Sequence, residues 1–299
     1  MRYAIRHETR FSYGAPVRFA RCNLRLKPII WSGQTLVAHD LSVEPGGHLS
    51  LARADASLAN VTRLVIEAAV TELSIVSRAT VDVDRRIPAP TASDPDLATV
   101  ARLARESRDV SASSPANYLF PSPMVALDPA IADWCAPSLA PERGALDAAI
   151  DLARRIQSEF TYDSDATKTE TLPANAFARR TGVCQDFAQV MISGLRSAGL
   201  PAAYVSGYLR TLPPPGEARL VGADATHAWV LLWCGPERGW VGVDPTNGIW
   251  MAGDHIVTAI GRDYSEVAPI DGIFLGQGAR SMHVGVDVEP LIDGAAGHN

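Results

Sequence analysis

The chain has 299 residues, of which 47% are apolar and 20% are charged. These values are ordinary for a globular protein that can bury large cores and form about two domains. With 27 basic and 33 acidic residues the net charge is −6. Because there is no basic block, this charge argues against nucleic acid or an anionic membrane as the main partner.

The four cysteines are widely separated along the chain, at Cys22, Cys135, Cys184 and Cys234. They are too few and too scattered for a disulfide scaffold, and no Cys-x-x-Cys pair indicates a structural zinc site. The start of the chain lacks the apolar stretch of a signal peptide, and no run approaches the 18 or so apolar residues of a membrane span. We therefore expect a cytoplasmic protein with reduced thiols.

Residues 1–90 are predicted to form a β-rich domain. Apolar residues alternate there with period two, which is typical of half-buried antiparallel strands. The pattern is carried by Tyr3 and Ile5, Phe11 and Tyr13, Leu36, Leu41 and Val43, Leu73 and Ile75, and Val81 and Val83. We interpret the region as an antiparallel β-sandwich-like domain.

Residues 91–140 are predicted to be a linker that contains a short helix near 95–107 and an irregular segment at 111–125. Three prolines in that segment, at 115, 121 and 123, exclude a regular helix. Its apolar triplet Tyr118, Leu119 and Phe120 is expected to dock on a neighbouring surface.

From about residue 141 the pattern predicts an α+β core that ends near residue 260. The run ALDAAIDLARRIQSEF predicts a helix, TYDSDATKTETLPAN predicts a polar loop, and CQDFAQVMISGLRSAG predicts a second helix that stops at Gly199. Three strands follow, in AAYVSGYL, HAWVLLW and GWVGVDP. Residues 261–299 are predicted to be an extension with a terminal strand in SMHVGVDVEPL.

Cys184 is the thiol with a predicted chemical role, because it begins the second helix directly after Thr181-Gly182-Val183. The free amides and the positive end of the helix dipole at that position favour the thiolate, which is the nucleophilic form. A buried cysteine that acts only as a small apolar residue is the alternative.

The strands HAWVLLW and GWVGVDP read as a β-hairpin that carries His227 and Asp244. If residue 234 pairs with 239, then 229 pairs with 244, and the two side chains are diagonal neighbours on one face. A register shifted by two would pair 227 with 244 directly, whereas a shift by one would separate them. In the first two cases Asp244 can orient the imidazole, which leaves the other ring nitrogen for Cys184.

The runs TGVCQDFAQVMISGLRSAGLPAAYVSGYL, ATHAWVLLW and GWVGVDPTNG resemble the core motifs of the transglutaminase-like superfamily in its bacterial branch. RHETRFSYGAPVRFARCNLRLKP and GRDYSEVAPIDGIFLG resemble the regions that flank that core. The resemblance implies a papain-like α+β core with Cys184 as nucleophile, His227 as general base and Asp244 as orienter. Gln189 departs from the resemblance, since many relatives are expected to have His there.

An oxyanion hole would need two donors, and the backbone N–H of Cys184 is the natural first one. Tyr162, Asn175 and Gln185 are the candidates for the second, and the sequence does not choose among them. Trp229 either walls the site beside His227 or fills the core. No cofactor is implied, and His255 and His283 lack partners at metal-ligand spacing, so no metal site is expected.

The sequence therefore predicts a thiol-dependent acyl-transfer enzyme that acts on a peptide or on a protein carboxamide such as a glutamine side chain. Water as acceptor gives a cysteine peptidase or amidase, and an amine gives a transglutaminase. We favour hydrolysis. A non-catalytic protein-binding module on the same scaffold is the alternative from another class, and arylamine acetyl transfer is a further one that lacks a recognisable coenzyme A site. The oligomeric state is left open.

Overall fold

The computed structural model describes residues 1–51, 58–166, 169, 171–211, 225–276 and 278–291. The fold is α+β, as the sequence predicts. The strands are β1 (Arg2–Val17), β2 (Phe19–Lys27), β3 (Gln34–Glu44), β4 (His48–Leu51), β5 (Leu58–Ile66), β6 (Val70–Val83), β7 (Thr161–Tyr162), β8 (Thr181–Gly182), β9 (Ala202–Leu209), β10 (Ala225–Trp233), β11 (Trp240–Asp244), β12 (Ile249–Trp250), β13 (His255–Gly261), β14 (Ile270–Leu275) and β15 (Arg280–Leu291). The helices are α1 (Leu97–Arg105), α2 (Pro129–Cys135), α3 (Ala145–Glu159), α4 (Pro173–Arg179), α5 (Cys184–Ser197) and α6 (Tyr264–Val267), with a 3-10 turn at Pro115–Tyr118.

Two mainly antiparallel sheets organise the described part of the chain. The smaller sheet has the order β15-β1-β6-β3, and the larger has the order β12-β11-β10-β9-β13-β5-β2-β14 with β4 beside β5. The alternating apolar residues of the first 90 positions face the cores, so Tyr3, Ile5, Leu73 and Ile75 are buried. The terminal strand is confirmed as β15, which pairs with β1 from Arg2↔Leu291 to Tyr13↔Arg280.

The larger sheet crosses the proposed boundary at residue 90. Strand β5 pairs with β13 through Ala59↔Ala259 and Leu58↔Ile260, so strands of the N-terminal region continue the sheet that carries His227 and Asp244. The domain limits 1–90, 91–140, 141–260 and 261–299 stay a prediction. What the pairing does establish is that the sheet of the candidate site is extended by N-terminal strands on its β13 side.

Helix α5 is buried along most of its length against β9 and β10. Phe187, Val190, Met191 and Leu195 are all fully buried in one apolar cluster with α3 and the sheet. Helix α2 packs on α5 at Gly194, where an added Cβ would collide with the Sγ of Cys135. This close contact holds α5 against α2, and the position of the helix in turn determines where its first residue, Cys184, lies.

Three details of the sequence interpretation are wrong. The segment 161–175 is not only a loop, because it contains β7 and the start of α4, and α2 occupies part of the predicted linker. These elements are too short for hydrophobic periodicity to reveal. Tyr118 and Leu119 are buried as predicted, but Phe120, which lies two residues beyond the 3-10 turn and directly before Pro121, is 66% exposed.

No helix within the described ranges is long and apolar enough to cross a membrane.

Candidate active site

Cys184 is the first residue of α5, and a short parallel strand pair leads the chain into it. Strand β7 pairs with β8 so that Tyr162 lies opposite Gly182, two residues before the thiol. The carboxylate of Asp186 reaches back and accepts the N–H of Val183 at 2.9 Å. A side chain at position 182 would collide with Asp186. The entry to the helix is therefore closely packed, and Cys184 itself is half-buried.

The other three cysteines, Cys22, Cys135 and Cys234, are buried. Burial raises the pKa of Cys22 to about 11 and the pKa values of Cys135 and Cys234 to about 12. Each of these thiols stays protonated and shielded at neutral pH, which leaves Cys184 as the accessible one.

His227 and Asp244 lie together on the predicted hairpin. Strands β10 and β11 pair through Val230↔Val243 and Trp233↔Trp240, which is the register in which 234 pairs with 239. The Nε2 atom of His227 is 2.8 Å from Oδ2 of Asp244, and both side chains are buried. The thiol of Cys184 lies close enough to the same imidazole to help raise its pKa. The structure thus brings these three side chains together.

The electrostatics of this cluster favour a charged pair. Burial alone would lower the pKa of His227, but the hydrogen bonds to Asp244 and Cys184 and their charges raise the pKa to about 10. Burial alone would raise the pKa of Asp244, yet the hydrogen bonds from His227 and His255 hold that pKa well below its usual range. Asp244 is therefore ionised, and His227 holds its proton near neutral pH.

Asp244 accepts further hydrogen bonds that the sequence reading does not foresee. The side chain of Asn247 donates to Oδ2 at 2.7 Å, and the backbone N–H of Thr246 donates to Oδ1 at 2.9 Å. Asn247 lies in the turn after β11, and its side-chain amide also binds the carboxylate. The motif Asp-Pro-Thr-Asn carries a signal for the contact with Thr246, because an Asp side chain commonly accepts the backbone N–H two residues further on.

His255 is a second histidine on Asp244, and the sequence reading missed this contact. Its Nε2 lies 3.3 Å from Oδ2 of Asp244, and its side chain is buried. His255 begins β13, which is remote in the chain from the hairpin, so no local spacing pointed to it.

Trp229 is fully buried and contacts the rings of both histidines. Its ring stacks on His227 with centroids 6.0 Å apart and meets His255 edge-on at 5.1 Å. Its Nε1 points to the sulfur of Met251 at 3.0 Å. Trp229 therefore both fills the core and supports the imidazole, so the two readings of this residue are compatible.

The three candidates for a second oxyanion donor occupy different positions. Tyr162 is 56% exposed and lies close enough to Cys184 to interact with its charge. Gln185 donates its side-chain amide to the carbonyl of Thr169 at 2.7 Å. Asn175 is exposed on α4. Of the three, Tyr162 is the one whose pKa is raised by burial and by the charge of Cys184.

His227, Asp244 and His255 offer three atoms within 4.8 Å of one another, a grouping that could hold a metal ion. Both imidazoles, however, aim a nitrogen at the same carboxylate oxygen, at hydrogen-bond distances of 2.8 Å and 3.3 Å. Metal ligation would require the two lone pairs to converge on an ion between them. The observed directions fit a proton-sharing network.

Two family models match the chain. Residues 133–245 match the transglutaminase-like superfamily, and residues 3–82 match the bacterial transglutaminase-like N-terminal region. An uncharacterized protein of Mycobacterium tuberculosis is 36% identical over 303 residues, covering 97% of this chain and 93% of that protein. This chain belongs to the transglutaminase-like superfamily.

Two further proteins show different degrees of likeness to this chain. A protein-glutamine gamma-glutamyltransferase of Pseudomonas aeruginosa is 41% identical over 88 residues, which is 29% of this chain and 13% of that protein. The crystal structure of a "putative cysteine protease" from Cytophaga hutchinsonii superposes with a TM-score of 0.75 at 20% identity, covering 98% of this chain and 92% of that one. At this identity the superposition establishes the shared fold.

Proposed function

We propose that this protein is a thiol-dependent acyl-transfer enzyme with Cys184 as nucleophile, His227 as general base and acid, and Asp244 as the residue that orients His227. The observation that carries the proposal is the 2.8 Å contact of His227 with Asp244 beside the thiol of Cys184. A nucleophile, a base and an orienting group within hydrogen-bond reach are the parts that covalent acyl transfer needs.

The first half of the reaction forms a thioester. The sulfur of Cys184 attacks the carbonyl carbon of a peptide or carboxamide, and the carbonyl oxygen takes the negative charge. His227, which holds the thiol proton, gives it to the leaving nitrogen as the carbon–nitrogen bond breaks. Ammonia or an amine departs, and the acyl group stays on sulfur.

The second half releases the acyl group. Neutral His227 takes a proton from water or from an amine, and the resulting nucleophile attacks the thioester carbonyl. The carbon–sulfur bond breaks and the thiolate of Cys184 is restored beside protonated His227. Water yields the free acid and an amine yields a new amide. We propose hydrolysis of peptides or protein carboxamides as the main outcome.

The oxyanion of both steps needs donors near the helix start. The N–H of Cys184 is one of the first N–H groups of α5, which have no partner inside the helix. We assign the second donor to the hydroxyl of Tyr162, since its strand pairs with Gly182 and its ring is partly exposed beside the thiol. The positive end of the helix dipole also stabilises the negative charge that develops on the oxygen in the transition state.

The proposal is tested with a library of glutamine-containing peptides, with and without an added primary amine. We expect free acid or cleaved peptide from the wild-type protein, and none from Cys184→Ala. Cys135→Ala is the matched control, because that thiol is buried away from the site, and it should keep activity. Turnover by Cys184→Ala, or labelling of that variant by a thiol-reactive amide probe, would overturn the assignment. Incorporation of the amine identifies a transferase.

A further inference from the structure

Two imidazoles from different strands converge on one carboxylate oxygen. His227 comes from β10 and His255 from the start of β13, and their Nε2 atoms lie 2.8 Å and 3.3 Å from Oδ2 of Asp244. Their ring centroids are 6.3 Å apart. Cys184 acts on the pKa of His227, whereas the pKa of His255 is set by burial and by Asp244, His227 and Arg85. His255 therefore contacts the orienting carboxylate of Asp244, whereas His227 is the proposed base.

The hydrogen bonds of His255 determine which ring nitrogen carries its proton. The backbone N–H of Ala252 points to Nδ1 at 3.3 Å, so Nδ1 is an acceptor and has no proton. The proton of the neutral ring is then on Nε2, from which it is donated to Asp244. The turn from Ala252 to His255, which leads into β13, thus orients the ring so that Nε2 donates to the carboxylate of Asp244.

Both the backbone and the ring of His255 are held in place. Arg85, which follows β6, donates from Nη1 to the carbonyl oxygens of His255 at 2.8 Å and of Ala252 at 3.2 Å. Trp229 packs edge-on against the ring. The contacts fix the backbone of β13 where it meets the site, and they leave the imidazole little freedom to turn.

Three charged or titratable groups face His255: Asp244, His227 and Arg85. Burial lowers the pKa of His255, the carboxylate of Asp244 opposes this, and the charges of His227 and Arg85 lower the pKa further. The net result is a pKa below the ordinary value. His255 thus stays neutral under conditions in which His227 is charged, and it remains a fixed donor.

We propose that His255 is a positioning residue, which holds the carboxylate of Asp244 in the rotation that places Oδ2 against His227. The inference rests on the proposed function, because it concerns the orientation of the base. His255 shares Oδ2 with the side-chain amide of Asn247 at 2.7 Å, while the backbone N–H groups of Thr246 and Asn247 bind Oδ1. Without the donor from His255, the pull toward β13 is lost and the carboxylate can shift toward residues 246 and 247. Its contact with His227 then weakens.

The kinetic test compares His255→Leu, His255→Gln and the control His283→Leu, whose side chain is exposed on β15. Glutamine replaces the Nε2 donor with an amide N–H, whereas leucine has none. We expect kcat of His255→Leu to fall roughly 100-fold, as for a misplaced catalytic group, with KM unchanged. The alkaline limb of kcat/KM should move to lower pH. His255→Gln should recover most of kcat, and His283→Leu should match wild type.

A spectroscopic test does not depend on turnover. Long-range ¹H–¹⁵N spectra of the wild-type protein near neutral pH should show His255 as the neutral Nε2–H tautomer while His227 is protonated, and the pKa of His227 should fall in His255→Leu and be restored in His255→Gln. An Nδ1–H tautomer, protonation of His255 together with His227, or an unchanged His227 titration in His255→Leu would overturn the inference. Failure of the proposed function has a different signature, namely activity that survives in Cys184→Ala.

Discussion

His227 and Asp244 are 2.8 Å apart at their side-chain tips, although the hairpin does not pair them directly. Because Val230 pairs with Val243, the residue opposite Asp244 is Trp229. His227 lies two residues before Trp229 on the same strand. The imidazole and the carboxylate are thus diagonal neighbours on adjacent strands. This offset allows Trp229 to stack on His227 while Asp244 binds the ring edge.

Replacing Asp244 with Asn should remove the charge that keeps His227 protonated. The pKa of His227, raised to about 10 in the native protein, should fall, and kcat should drop by roughly 10⁴-fold if the imidazole takes the wrong tautomer. The pH dependence of kcat/KM measures both effects. Asp165→Asn, an exposed carboxylate in the 161–171 segment, is the control. An alkaline limb at the same pH in both variants would contradict the assigned role.

The same pair should make stability depend on pH. The pKa of His227 is higher in the folded than in the unfolded state, so its stabilisation is complete below about pH 6.5 and is lost as pH rises toward about 10. The pKa of Asp244 is lowered by folding, so its stabilisation is present above about pH 4 and lost in acid.

Urea unfolding of wild-type protein and Asp244→Asn across this range measures the effect. The difference in free energy of unfolding between the two proteins should be largest between about pH 4 and pH 6.5 and should shrink on either side. A difference that is constant from pH 6 to pH 10 would show that the charged pair contributes nothing to stability.

The part of the site that is local in sequence was predictable. Cys184 follows from a helix start, and the contact of His227 with Asp244 follows from two of the three hairpin registers weighed, of which the structure takes the one with a four-residue loop at 235–238. The role of His255 was not predictable, since β13 reaches the site only through its pairing with β9. The same reason hid the continuation of the sheet from β13 to β5.

Gly207 should be sensitive to substitution because it lies under Trp229. It pairs with His227 in the sheet, and an added Cβ would collide with the carbonyl of Ile256 and lie 2.5 Å from Cη2 of Trp229. We expect Gly207→Ala to cost about 1–3 kcal/mol of stability and to reduce kcat by displacing Trp229 from His227.

Thermal unfolding and initial rates measure these two effects. Gly46→Ala is the matched control, because an added Cβ there meets open space, and it should change stability by less than about 0.5 kcal/mol. Equal melting temperatures for the two variants would mean that the sheet adjusts around position 207 without strain.

Arg180 has a left-handed backbone, with φ of 53°, at the end of α4. Its guanidinium lies over the rings of Trp134, Phe160 and Phe177 at 4.7, 4.8 and 4.1 Å. Alanine and glycine at this position both remove these contacts, but glycine also relieves the backbone. We therefore expect Arg180→Gly to be about 1 kcal/mol more stable than Arg180→Ala.

The urea midpoints of the two variants test this order. Ala178, exposed within α4, is the reference for an ordinary helical position, where glycine should be about 0.5–1 kcal/mol less stable than alanine. The sign of the glycine–alanine difference should thus reverse between positions 178 and 180. The same sign at both positions would contradict the strain argument.

Gln189 is a fully buried side chain on α5, and neither polar atom of its amide has a hydrogen-bond partner among the described residues. An unpaired buried amide costs about 1–3 kcal/mol, and methionine has similar length without the polar group. Gln189→Met should therefore raise the free energy of unfolding by about 1 kcal/mol or more, as measured by urea unfolding. Gln157→Met, at an exposed position of α3, should change it by less than about 0.5 kcal/mol. If Gln189→Met is instead less stable than wild type, the amide must have a partner that repays its burial, such as an internal water.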